Sequence, residues 1–217
     1  MEGRRRLTEA QRQENTGLEP LMRSDWSYVA GRDLDAISAA DWMMLDRQRS
    51  DYLAERQAAQ VLAIFSTGAA EPSFGYEINM HTHGLQTATA MLRDGFAEDS
   101  VVVGLLHDIA YDISPMTHGR ASAAMLGPYC SERDEWMLRH HQEFQSWHCR
   151  NHPDVDPDER DRWRGHPHFA YTAEFVAKYD QTTILAGLDC LPLDAFVPMV
   201  KRFFAKPARR PASEGEL

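Results

Sequence analysis

An apolar run, Val101 to Leu106, ends directly in His107 and Asp108, and this juxtaposition constrains the chain more than any other feature. A segment of that kind belongs inside a protein, so the two polar side chains behind it arrive at a buried position. Burying an imidazole and a carboxylate is unfavourable unless they are paired or hold a cation. Partners exist elsewhere in the chain: His83 upstream, then His118, the pair His140 and His141, and Asp180. Imidazole and carboxylate together suit iron, manganese, zinc, cobalt or nickel, and no thiolate joins them. The pattern predicts a site for one or two metal ions.

Composition sets the frame for that site. With 217 residues, 43% of them hydrophobic and 26% charged, the chain reads as one globular domain large enough for a sizeable core. A net charge of −10 argues against non-specific nucleic-acid binding. No run approaches the roughly 20 apolar residues that span a bilayer, so no membrane partner is expected. The basic start, Arg4 to Arg6, has no apolar stretch behind it and does not read as a secretory signal. Cys130, Cys149 and Cys190 are odd in number and widely spaced, which fits a reducing, cytoplasmic setting.

The punctuation of the chain predicts an all-α fold. Residues 1–35 read as a loosely ordered arm, 36–206 as the domain and 207–217 as a disordered tail. Ser38 to Asp41 resembles a capping box opening a helix to about Phe65. Further helices are expected from His83 to Arg93, Glu98 to Leu106 and His118 to Leu126, with another from Ser131 into His140 and His141. Gln142 to Pro157 reads as a long loop, with Phe144 and Trp147 as lid residues. A short helix from Pro157 to Arg164, a longer one from Pro167 to Asp180 and a last one from Leu193 to Ala205 complete the list.

Consecutive residues on a helix point about 100° apart, so His107 and Asp108 cannot easily clasp one small ion together. At a helix end, however, an aspartate can bridge two ions with its two oxygens. His83 and Asp180 would then complete one ion's set, and His118 with His141 would serve the other. His81, His148, His152, His166 and His168 lie in polar or loop surroundings, where a surface role is the expectation for most of them.

The series His83, His107-Asp108, Asp180 resembles the HD-domain superfamily over roughly residues 75–182. That resemblance implies a helical bundle with a metal site at its centre, and His118 and His141 match the subset holding two metals. A narrower likeness is to the HD-domain mixed-valence diiron oxygenases, the phosphonate-cleaving and myo-inositol oxygenases. It rests on His83 to Ala88, on Met137 to His141 followed by Trp147 and His148, and on His166 to Phe169 running into Val176 to Gln181. The likeness implies that His141 is the ligand and that His140 faces substrate or supports the centre. Tyr76 and Glu77 occupy the stretch where the phosphonate enzymes carry a gating tyrosine and glutamate. Position 145 is Gln where that family tends to have a cation.

Two reactions follow from the resemblance. With two irons, Fe(II)/Fe(III), the protein would use O2 to cleave a C–C or C–P bond of a small hydroxylated substrate, an organophosphonate among the candidates. With manganese or zinc it would hydrolyse a nucleotide or another phosphate ester. The residues after the pair offer Asp112 but no lysine or arginine, which favours the oxygenase.

Overall fold

The structure, a computed structural model, describes residues 23–31 and 33–209. These residues are helical and irregular, with no strand among them. The α-helices are α1 (Ala39–Thr67), α2 (Met80–Arg93), α3 (Glu98–Leu106), α4 (His118–Leu126), α5 (Glu132–Gln145), α6 (Phe169–Phe175) and α7 (Leu193–Phe204). None is long and apolar enough to cross a membrane.

The chain divides into two compact units, the first ending at Leu53 and the second starting at Ala54. The boundary thus falls inside α1, not near residue 35. In the first unit the expected capping box forms: the Asp41 amide donates to Ser38 Oγ, and the Ser38 amide donates to Asp41 Oδ2, each at 3.2 Å. Gln48 exchanges two hydrogen bonds with the Ser27 backbone, and Trp26 meets Tyr52 edge-on. Part of the expected N-terminal arm is therefore tied down, while residues 1–22 lie outside the described residues.

In the second unit α3 is the central rod. Its three consecutive valines favour extended chain on propensity alone. Burial overrides that preference, because Val101, Val102, Val103 and Leu106 are fully enclosed and each contributes about 1.5–3 kcal/mol in a packed interior. Glu98 and Asp99 lie in its first turn, matching the positive end of the helix dipole. Around it pack Leu85, Ala88 and Met91 of α2, Trp136 to Leu138 of α5, and Phe196, Val200, Phe203 and Phe204 of α7.

Two expectations are corrected here. Helix α5 runs on to Gln145, and Phe144 is fully buried against Trp136 and Phe169, so it is core and not lid. The long helix expected to end at Asp180 instead breaks into α6 and a π-helical turn, Val176–Asp180, closed by a 3.0 Å bond from the Gln181 amide to the Val176 carbonyl. The start of the expected tail is also anchored: Arg209 bonds the carbonyls of Pro128 and Cys130 and the carboxylate of Glu135. Residues 210–217 lie outside the described residues.

Candidate metal centre

The six side chains singled out around His107 converge. Helix α2 carries His83, the end of α3 delivers His107 and Asp108, α4 opens with His118, α5 carries His141, and the π-turn closes on Asp180. Two glycines let the helices come close enough. A Cβ on Gly84, next to His83, would lie 2.4 Å from the Leu105 carbonyl oxygen of α3. A Cβ on Gly119, next to His118, would lie 2.7 Å from the Leu138 carbonyl oxygen of α5. The step His-Gly recurs at His83-Gly84 and His118-Gly119, a signal in the sequence that the reading above did not use.

The donor atoms fall into two sets that share one carboxylate. On one side the Nε2 atoms of His83 and His107 are 3.2 Å apart, and Asp180 Oδ1 lies 3.4 Å and 3.7 Å from them. Asp108 Oδ2 faces the same pair at 3.7 Å and 3.5 Å. On the other side the Nε2 atoms of His118 and His141 are 3.1 Å apart, and Asp108 Oδ1 lies 3.1 Å from each. Asp108 thus turns one oxygen to each set.

Hydrogen bonding fixes the polarity of the rings. The Nδ1 atoms of His83, His107, His118 and His141 each lie 2.8 Å from a backbone carbonyl oxygen, those of Thr183, Gly104, Pro115 and Leu138. A carbonyl only accepts, so Nδ1 carries the hydrogen and a neutral ring presents a lone pair at Nε2. Lone pairs and carboxylates aimed at one another repel unless positive charge sits among them. Burial opposes protonation of His107, yet Asp108 and Asp180 outweigh it and raise its pKa to about 9. Burial likewise opposes ionisation of Asp108 and Asp180, and the surrounding imidazoles hold both below the usual carboxylate range. The donor set could hold two first-row cations, with Gln145 Nε2 donating to Asp180 Oδ2 at 2.8 Å and leaving Oδ1 free to point inward.

No protein-family model matches the chain, and no curated protein matches it.

Beside the cluster lies a cavity of about 260 Å³, reached by His83, Asp108, His118 and Asp180 from below. Its walls are Ile78, Met80 and Ile184, with Tyr76, Tyr111 and His148 among the polar contributions. No lysine or arginine is among its described lining residues. Of the cations available in the sequence, Arg139 and Arg162 pair with Glu135 and Glu143, Lys178 pairs with Glu174, and Arg160 stacks on Trp147.

Three expected catalytic residues fare differently. Tyr76 stands at the cavity rim and is exposed. Glu77 does not line the cavity; its carboxylate accepts from the Ala186 amide at 2.8 Å and so holds the segment after the π-turn. His140 is corrected outright as a substrate-facing group. One residue round α5 from His141, it packs between Trp136 and Trp163, and its Nδ1 meets Glu143 at 3.1 Å. Sequence reasoning missed Tyr111 as a neighbour of the site, and it marked Gln145 and His148 only through the resemblance, with no role assigned. His148 was expected on the surface, yet it lines the cavity and its Nε2 is buried without a hydrogen-bond partner. Asp112 lines a separate, smaller cavity on the other side of Asp108.

Proposed function

We propose that this protein is a dinuclear metal enzyme of the HD-domain kind that uses O2 to cleave a C–C or C–P bond of a small hydroxylated substrate. The observation that carries the reading is Asp108, with one oxygen in each of two histidine-containing donor sets. The wall of the cavity brings no lysine or arginine to a phosphate among its described residues, which argues against a phosphate ester and, within the oxygenase reading, for the C–C branch. Asp112, the acidic residue that a hydrolytic site would recruit after the pair, points to a different cavity.

Two irons, when bound, would supply O2 activation and abstraction of hydrogen from carbon. His83, His107, Asp180 and Asp108 would hold one; His118, His141 and Asp108 would hold the other. The second set has fewer protein donors, which leaves more positions for substrate oxygen. The backbone carbonyls lock every ring in its ligating tautomer, and Gln145 orients Asp180. Tyr111, whose ring centroid is 5.1 Å from that of His118, is placed to hydrogen-bond a substrate hydroxyl. Ile78, Met80 and Ile184 exclude water from the reacting carbon. For a vicinal diol the atoms balance: the diol and one O2 give a carboxylic acid, an aldehyde and water.

The test is anaerobic reconstitution with iron, metal analysis and EPR, followed by O2 uptake with polyols and 1-hydroxyalkyl phosphonates. About two irons per chain, a mixed-valence signal and substrate-dependent O2 consumption are expected. Turnover of phosphate esters with manganese or zinc, and no O2 uptake, would replace this reading with the phosphohydrolase.

A further inference from the structure

Every wall of the cavity beside the cluster bears on what can enter it. Its apolar side is Ile78, which is buried, with Met80 and Ile184. Its polar side is Tyr111 and Gln145, which hydrogen-bond without positive charge, and His148, whose burial lowers its pKa and favours the neutral ring. Gln145 spends its amide on Asp180. Arg160 and Arg150 lie over the Trp147 ring at 4.5 Å and 5.4 Å, and neither is among the lining residues. A phosphate, phosphonate or sulfate would therefore lose its water shell without gaining a charged partner from the wall, which is unfavourable.

Deepening the reading above, we infer that the cavity selects an uncharged hydroxylated molecule with an aliphatic or aromatic end, and that Ile184 sets this preference. The hydroxyl end lies toward Asp108 and His118, and the apolar end lies against Ile78, Met80 and Ile184. Cleavage would then fall on a C–C bond. Ile184 is 38% exposed and sits on the segment after the π-turn, so its side chain can be exchanged without opening the core.

The test is binding, not turnover, on the full chain, both metal-free and loaded with redox-inert zinc. The probes are 1,2-propanediol, 1,2-butanediol, 1,2-hexanediol and inorganic phosphate, read by calorimetry or ligand-observed NMR. A fully buried methylene tightens binding about fourfold, so a partly buried series from propanediol to hexanediol gains about tenfold or more. In the metal-free protein, where no cation can hold the anion, phosphate binds more weakly than hexanediol. Ile184→Arg weakens hexanediol about tenfold and strengthens phosphate, whereas Leu185→Arg, one residue on and outside the lining, changes neither. A flat diol series, phosphate binding metal-free protein tighter than hexanediol, or an unaltered preference in Ile184→Arg overturns the proposal. Metal content is measured on the same samples. Protein that holds no metal but still ranks the diols keeps the pocket and loses the dinuclear reading; protein that takes up two metals, but in its metal-free form prefers phosphate, does the reverse.

Discussion

Replacing Gly119 by Ala adds one methyl group where α4 crosses α5. That carbon would lie 2.7 Å from the Leu138 carbonyl oxygen and 3.1 Å from His141 Cε1. Relief to an ordinary contact of about 3.4 Å requires the helices to part by about 0.7 Å, because the obstacle is backbone. Metal–ligand distances tolerate only about 0.2 Å, so the displacement exceeds what the His118–His141 set can absorb. It also strains the Leu138 carbonyl, the oxygen that orients His141. The set made by His83, His107 and Asp180 is built on other helices and is spared. The variant should therefore bind one metal per chain where the parent binds two, with a stability loss of about 1–3 kcal/mol from overpacking. Metal analysis after dialysis against a weak chelator reads the first effect, and chemical denaturation reads the second. Gly165→Ala, with nothing within 4 Å of the added carbon, is the control. Two tightly held metals in Gly119→Ala would refute the reasoning.

Other outcomes follow from neighbouring groups. Gln145→Leu leaves Asp180 Oδ2 buried without its donor and should lower metal affinity about 10–100-fold, measured by competition with a chelator. In metal-free protein the His107 pKa is raised to about 9, above the ordinary 6.5. Its contribution to stability is therefore complete below pH 6.5 and lost as pH rises through 9. Thermal melts of chelator-treated protein should fall across that window, and His107→Gln should flatten the trend. Burial pushes the Cys130 thiol up to about 12, and Cys149 is exposed at the cavity. A thiol reagent at pH 8 should label Cys149 in native protein and reach Cys130 only on unfolding.

Much of this fold was legible where both ends of a helix are marked. Glu98–Leu106 and His118–Leu126 stand where the punctuation puts them: acidic residues open the first, and Gly127 and Pro128 close the second. The end of α5 was not legible, because Phe144 is the one apolar residue between His140 and Gln145. Met137, His141 and Phe144 in fact keep helical spacing, but only if His141 counts as an inward-facing residue. The same problem hid the difference between His140 and His141, which face opposite surroundings from adjacent positions. The candidate donors could be picked out because buried histidine and aspartate need partners. The roles of Gln145 and His148 could not be read, since they come from what a distant turn places against them.

The carbonyls that steer the four imidazoles come from unequal distances along the chain. His107, His118 and His141 each take theirs from three residues earlier, so those rings acquire their direction as soon as the local turn winds. His83 instead depends on Thr183, a hundred positions away. One half of the centre is thus preset by nearby backbone, while the other waits for the chain's later third to dock. Order of assembly, and order of loss under stress, is written into which oxygen each ring leans on.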